Sequence, residues 1–169
     1  MPLLAALALI ASASSNPPHV RAESIDTQQF IAEASDRSPI VRAQIERLEQ
    51  SDVIAYVRFV AFSDPTLEAR VGFISRAGGR RYVAIEIACA RLRSLQIAAL
   101  AHELQHVSEI AAAPDVVDTA TLAKHYEQIG MRMTDAWRHR TFETLAAIDI
   151  AARVRREITG GVVRMTEDR

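Results

Sequence analysis

The sequence predicts an α+β fold: N-terminal helices, then a small, mostly antiparallel sheet of three strands, then further helices. Apolar residues recur at helical spacing before residue 50 and again after residue 91. Between these regions, residues 52–88 are rich in Val, Ile, Tyr and Phe, as strands are. The order of helices, three strands and then helices is an α+β layout.

Two N-terminal helices are predicted between residues 24 and 52. Phe30, Ile31 and Ala34 recur at helical spacing in the first helix. The second helix is expected to begin at Ser38-Pro39, because serine caps helix N-termini and proline is favoured in the first turn.

Three strands are predicted next. Residues 52–62 form the first strand, and a hairpin over residues 69–88 supplies the other two. Gly78-Gly79 is expected to form the tight turn, because glycine adopts the positive φ angles of two-residue hairpin loops.

The pattern after residue 91 is helical again. One helix is expected from an N-cap at Ser94 to about residue 112, because Pro114 disfavours helical geometry in the residue before it. A second helix is expected from about Asp118 to Ile129, with Gly130 ending it.

The C-terminal helix is expected to begin near Thr134 or Thr141 and to run to Ile158. Gly160-Gly161 is expected to end it, since glycine is favoured just after a helix C-terminus.

Residues 1–21 are predicted to be a signal-peptide-like or disordered leader. Leu3 to Ala13 form an apolar run too short to cross a bilayer as a helix, and Ala11-Ser12-Ala13 matches the small-residue pattern of a cleavage site. No Lys or Arg precedes the run. The prediction is therefore a periplasmic or secreted protein if the leader is a true signal peptide, and a cytoplasmic protein otherwise. Residues 22–160 are predicted to form a single domain, and 161–169 a C-terminal tail.

Composition excludes several functional classes. The chain has 169 residues and a net charge of −1, so it lacks the basic excess of a nucleic-acid-binding protein. Its one cysteine, Cys89, excludes an intrachain disulfide and a CxxC site, and its apolar neighbours predict a small buried side chain. No stable membrane span is predicted, and the sequence leaves the oligomeric state undetermined.

The functional prediction depends on the sequence AALAHELQHVSEI, residues 98–110. His102 and His106 are four residues apart, so on a helix they project side by side and their ring nitrogens can converge on one metal ion. Imidazole is a good zinc ligand. Glu103 lies beside the first histidine, where its carboxylate can accept a proton from a metal-activated water. The alternative is a pair of surface histidines, which the apolar neighbours disfavour.

HELQH in a helix that follows a sheet resembles the zincin metallopeptidases, and the chain is also similar to small uncharacterised bacterial HExxH proteins. The resemblance implies a minimal zincin-like fold, a Zn²⁺ cofactor and hydrolysis with Glu103 as the general base. The metzincin branch adds a glycine and a third histidine, which this chain lacks. Gluzincins take a glutamate from a later helix instead, so the resemblance is to the gluzincin type. Ser108 departs from the pattern, which usually has an apolar residue there.

Glu143, in TFETLAAIDIAARV, is predicted to be the third zinc ligand beside the two histidines. On a helix it shares a face with Ala146 and Ala147, which would turn its carboxylate toward the core. The alternative is an acid stabilised by the helix dipole. Glu109, three residues after His106, is the rival ligand, and the expected role there is a solvated or second-shell carboxylate.

Peptide hydrolysis also needs a hydrogen-bond donor for the developing oxyanion. The candidates are His125, Tyr126, Arg138 and His139, and nothing in the sequence selects among them.

The leading prediction is a zinc-dependent hydrolase, most simply a peptidase acting on a peptide or protein substrate. The strand at about residues 81–88 would pair with the extended substrate. One alternative is a non-catalytic binding module of the same fold that zinc stabilises. Another is a helical di-iron carboxylate protein, because residues 103–106 also form an ExxH. That design needs a second ExxH, which the chain lacks, and a four-helix bundle, which the predicted strands contradict.

Overall fold

The computed structural model describes residues 17–134 and 140–167, and it confirms the predicted α+β class. In chain order the elements are β1 (Val20–Ala22), α1 (Ile25–Arg37), α2 (Pro39–Leu48), β2 (Val53–Val60), β3 (Ala69–Ala77), β4 (Arg80–Ala88), α3 (Arg93–Ala112), α4 (Thr119–Ile129), β5 (Met131–Thr134), β6 (Arg140–Glu143) and α5 (Leu145–Glu167). Residues 1–16 of the predicted leader lie outside the described residues, and strand β1 begins within its last residues.

The main sheet differs from the predicted three, mostly antiparallel strands. It has four strands in the order β1-β2-β4-β3, and β2 pairs in parallel with both β1 and β4. Only β3 and β4 are antiparallel, and Gly78 and Gly79 join them with φ angles of 56° and 73°. The hairpin prediction is confirmed. The hairpin folds back so that β4 lies between β2 and β3, and this parallel pairing has no local sequence signal.

Strand β4 is paired on both of its edges. Its backbone hydrogen-bonding groups are therefore used within the sheet, and the prediction that the strand at residues 81–88 pairs with substrate is wrong. Among the described strands of this sheet, the free edges belong to β1 and β3.

The first two helices begin where the sequence predicts. Ser24 and Thr27 form a reciprocal capping box at the start of α1. Ser38 accepts a hydrogen bond from the backbone N–H of Val41, and Pro39 opens α2. Phe30 is almost fully buried, which anchors α1 in the core.

Helix α3 carries HELQH and lies at the centre of the fold. It packs against the sheet, α2 and α5, and eleven of its 20 residues are buried. The helix begins at Arg93, and the predicted N-cap at Ser94 is wrong because the Leu92 carbonyl already accepts the first helical hydrogen bond. The helix ends at Ala112, as Pro114 predicts.

After α3, one predicted helix is confirmed, and the predicted bounds of the other are wrong. Asp118 caps α4 and Gly130 follows its last residue, as predicted. Strands β5 and β6 then pair antiparallel, and α5 begins only at Leu145. This helix continues through Gly160-Gly161 to Glu167, so both predicted ends are wrong. Glycine lowers helix propensity by only about 1 kcal/mol per residue, which the packing of the preceding turns outweighs.

Cys89 is exposed, so the predicted burial is wrong. Strand β4 ends at Ala88, and Cys89 lies in the turn that leads to α3, outside the apolar interior.

None of the helices in residues 17–134 and 140–167 combines the length and the apolar character that crossing a membrane requires.

Candidate metal centre

Helix α3 directs two imidazoles at one point. The Nε2 atoms of His102 and His106 are 3.1 Å apart, and the two rings meet edge to face with centroids 4.8 Å apart. One helical turn separates the residues, so the backbone itself sets this convergence. The His106 side chain is 5% exposed and that of His102 17%, which places the pair at the edge of the core.

Glu143 completes the cluster, but from a strand. It is the last residue of β6, where it pairs with Met131 at the base of the β5–β6 hairpin. Its Oε2 lies 2.7 Å from Nε2 of His102 and 3.8 Å from Nε2 of His106. The expectation that a helical face presents Glu143 is therefore wrong, because α5 begins two residues later.

Gly130 allows β6 to approach this closely. A Cβ atom at this position would lie 2.7 Å from the Tyr126 carbonyl oxygen and 3.2 Å from Cβ of Phe142. Any larger residue would push the strand that carries Glu143 away from α4. Gly130 therefore allows β6 to place Glu143 near the histidines, and it also ends α4.

The three converging atoms fit a tetrahedral zinc site. Ligand bonds of about 2.0–2.1 Å at tetrahedral angles place ligand atoms about 3.4 Å apart. The separations from His102 Nε2 to His106 Nε2 and to Glu143 Oε2 are 3.1 and 2.7 Å, and the third is 3.8 Å. Oε2 of Glu143 is buried and has no hydrogen-bond partner among the described residues, despite its short distance to His102. A cation at the centre would satisfy this oxygen.

The charge around the centre also favours a cation. Glu103, Glu109 and Glu143 surround two imidazoles, and burial raises the pKa of Glu103 to about 7 against the opposing effect of the histidines. Burial opposes the charged form of His106, but the hydrogen bond to Glu109 and the nearby Glu143 carboxylate outweigh it and raise its pKa to about 9. Burial likewise opposes ionisation of Glu143, and the histidines outweigh it and lower its pKa to about 2. The carboxylates around His106 therefore stabilise a positive charge on its ring.

Glu109 contacts the His106 ring on the side that faces away from the converging atoms. Its Oε2 lies 2.9 Å from Nδ1 of His106, whereas Nε2 of that ring faces the centre. Its Oε1 accepts a hydrogen bond from the Thr144 hydroxyl at 2.8 Å. The carboxylate thus occupies the outer position that the sequence favoured for it, and the imidazole ring separates it from the converging atoms.

Two of the four candidate oxyanion donors, Tyr126 and His125, lie in the described part of the chain. The Tyr126 hydroxyl donates to the backbone carbonyl of His106 at 3.1 Å, and burial raises its pKa well above the usual value. It is therefore a structural support of α3. His125 packs edge-on against Tyr126, and its buried Nε2 has no hydrogen-bond partner among the described residues. Arg138 and His139 lie outside the described residues.

Sequence reasoning missed Thr144. Its hydroxyl accepts a hydrogen bond from the Ala147 backbone N–H, which makes it a helix cap, and it also donates to Glu109. A threonine before an apolar helical run is a typical N-cap signal, so the start of α5 was detectable from the sequence.

No protein-family model matches the chain, and no curated protein or solved structure shows significant similarity to it.

Proposed function

We propose that this protein is a zinc-dependent hydrolase, most simply a metallopeptidase of gluzincin type. One observation carries the proposal: three ligand atoms from His102, His106 and Glu143 lie within 4.8 Å of one another, with the buried carboxylate of Glu103 next to them in the chain. Two nitrogen ligands and one oxygen ligand, with a fourth position for water, are the donor set of a catalytic zinc.

The chain supplies the groups for each proton transfer. Zinc, when bound, lowers the pKa of a water molecule toward neutrality and polarises the substrate carbonyl. Glu103 would accept the water proton and later donate it to the leaving amine nitrogen. Because Glu103 is only 5% exposed, little bulk water competes for that proton. Glu143 and the histidines would keep the ion fixed during this exchange.

A peptide substrate is favoured by the free edge of β3. Among the described strands, β3 is paired with β4 alone, and α3 contacts it. An extended peptide that added to this edge would be bound through its main chain, which gives broad sequence tolerance. The strand that would pair with the peptide is therefore the edge strand β3, and not the central strand β4.

Hydrolysis of a fluorogenic peptide library by the zinc-loaded protein tests the proposal. Glu103→Gln removes the proton acceptor and is expected to lower the rate by about 10²–10⁴-fold while zinc remains bound. Glu46→Gln, an exposed glutamate on α2, is the matched control and should cleave at the wild-type rate. Equal cleavage by Glu103→Gln and Glu46→Gln would contradict the assigned chemistry.

A zinc-stabilised binding module is the second candidate. The observation that favours it is that the three residues come from two elements, α3 and β6, so that one ion would cross-link the fold. Under this candidate, zinc stabilises the wild type and Glu103→Gln equally, and neither cleaves any peptide. The di-iron alternative requires a four-helix bundle, whereas the described residues include a four-stranded sheet.

A further inference from the structure

We propose that Glu109 is a positioning residue that couples the two arms of the metal site. It would orient the His106 ring on one arm and hold the segment that carries Glu143 on the other. The inference rests on the proposed zinc site and extends it to residues that do not touch the ion.

The first contact sets the state of the His106 ring. Oε2 of Glu109 accepts a hydrogen bond from Nδ1–H of His106 at 2.9 Å. With the proton held at Nδ1, the lone pair of Nε2 is free to face the metal. The ring is also held by the edge of Tyr126, with centroids 5.2 Å apart, so it has little freedom to rotate.

The second contact reaches the other arm. Oε1 of Glu109 accepts a hydrogen bond from the Thr144 hydroxyl at 2.8 Å, across 35 residues of sequence. Thr144 directly follows Glu143 and caps α5 through the backbone N–H of Ala147. One carboxylate therefore fixes both the ring that supplies a nitrogen and the backbone next to the residue that supplies an oxygen.

A helix-surface ion pair does not explain this arrangement. Surface partners at i, i+3 interact through one contact and remain exposed, whereas the Glu109 side chain is 13% exposed. A third described partner, Gln105, lies on the same helix and donates from Nε2 to Oε1 of Glu109 at 3.3 Å. A largely buried carboxylate whose two oxygens contact different arms of one site is typical of groups that orient metal ligands.

Zinc affinity by chelator competition and the visible spectrum of the Co²⁺-loaded protein test this inference. Glu109→Ala is expected to weaken zinc binding by about 10–100-fold and to change the cobalt spectrum, which reports the geometry around the ion. Glu109→Gln keeps an acceptor for Nδ1–H and should restore most of the affinity. A merely structural role for Glu109 would leave the cobalt spectrum unchanged in protein that still binds metal.

The second arm is tested at Thr144. Thr144→Val removes the hydroxyl and should weaken zinc binding, whereas Thr144→Ser keeps it and should bind as the wild type does. Glu46→Ala is the control for loss of a glutamate elsewhere. Circular dichroism of each metal-free variant verifies that it is folded before the metal is added.

The outcomes separate this inference from the proposed function. If the wild type cleaves peptides and Glu109→Ala matches it in zinc affinity and cobalt spectrum, the positioning role fails alone. If the wild type binds zinc without cleaving any peptide, the hydrolase proposal fails, while weakened binding in Glu109→Ala still supports the positioning role. If the wild type binds no metal, both fail.

Discussion

Arg81 offers a test of how the end of the metal-site helix is anchored. Its side chain is 3% exposed and makes two hydrogen bonds to the carboxylate of Asp52, at 2.6 and 2.8 Å. The same guanidinium donates to backbone carbonyls at and just beyond the C-terminus of α3, those of Ile110, Ala111, Ala113 and Val116. One side chain from β4 thus binds four carbonyls around the helix end, of which those of Ile110 and Ala113 also accept backbone N–H groups.

Replacing Arg81 with methionine keeps most of the apolar volume and removes every donor. Asp52 is 45% exposed and can be solvated, so the cost comes mainly from the helix end. The bonds to Ile110 and Val116 are buried. The Ile110 carbonyl keeps a hydrogen bond from the Ala113 N–H at 3.1 Å, so the loss there is one bond from a charged donor, about 1.5–3 kcal/mol. The Val116 carbonyl loses the hydrogen bond from Arg81, at a cost of about 1–3 kcal/mol. Together these losses come to about 2.5–6 kcal/mol, and at about 2–4 °C per kcal/mol for a domain of this size Tm should fall by about 5–24 °C.

Urea and thermal unfolding of metal-free protein measure this loss. A chelator is present throughout, so that bound zinc does not contribute to the difference. Arg76→Met, an exposed arginine on the neighbouring strand β3, is the matched control and should change stability by less than about 0.5 kcal/mol. A loss for Arg81→Met no larger than that for Arg76→Met would refute the anchoring argument.

Three further predictions concern pH, metal and backbone approach. Burial opposes ionisation of Glu86, but hydrogen bonds from Arg58 and Arg70 outweigh it and lower its pKa below 4.5. Because the pKa of Glu86 is lower in the folded state, its stabilisation is present above pH 4.5 and is lost as the pH falls through the folded-state pKa. Denaturant unfolding measured from pH 6 to pH 3 should therefore show a smaller loss of unfolding free energy for Glu86→Gln than for the wild type. Zinc at about 100-fold excess over its Kd should stabilise the wild type by about 2.7 kcal/mol in calorimetry, and an equal gain in His106→Ala would contradict the ligand assignment. Gly130→Ala should weaken zinc binding in chelator competition, because its Cβ would lie 2.7 Å from the Tyr126 carbonyl oxygen. Gly72→Ala is the control and should bind zinc as the wild type does, because nothing lies within 4 Å of a Cβ there. Equal zinc affinities of the two variants would contradict the steric explanation.

Local patterns predicted the elements that depend on a few neighbouring residues. The spacing of His102 and His106 fixed their common face, because one helical turn relates them whatever else the chain does. Pro114 marked the end of α3, and Gly78-Gly79 marked the hairpin, since each acts through its own backbone geometry.

Sheet order depends on contacts that no local pattern records. Strand β1 has three residues and β5 and β6 have four each, too few to show a clear alternation. The parallel pairing of β2 with β4 follows from the hairpin folding back across the sheet. The sequence therefore predicted an α+β class and a hairpin correctly, and a wrong strand count and direction.

Glu143 likewise combines a feature that the sequence predicts with one that depends on tertiary contacts. An alanine-rich helical face predicts Glu143 as a ligand, yet the residue reaches the histidines from the end of β6. Its position depends on the register with Met131 and on the close approach at Gly130, both of which are tertiary features. The acidic side chain could be chosen from the sequence by its chemistry, whereas the path of the backbone to the site could not.

Zinc content by elemental analysis tests the central claim most directly. The wild type, His106→Ala, Glu143→Ala and the control Glu46→Ala are supplied with zinc, exchanged into metal-free buffer and measured together. We predict about one zinc per chain in the wild type and in Glu46→Ala, and little or none in the other two, as a site with three protein ligands requires. Full zinc content in Glu143→Ala, or none in the wild type, would contradict the proposed centre.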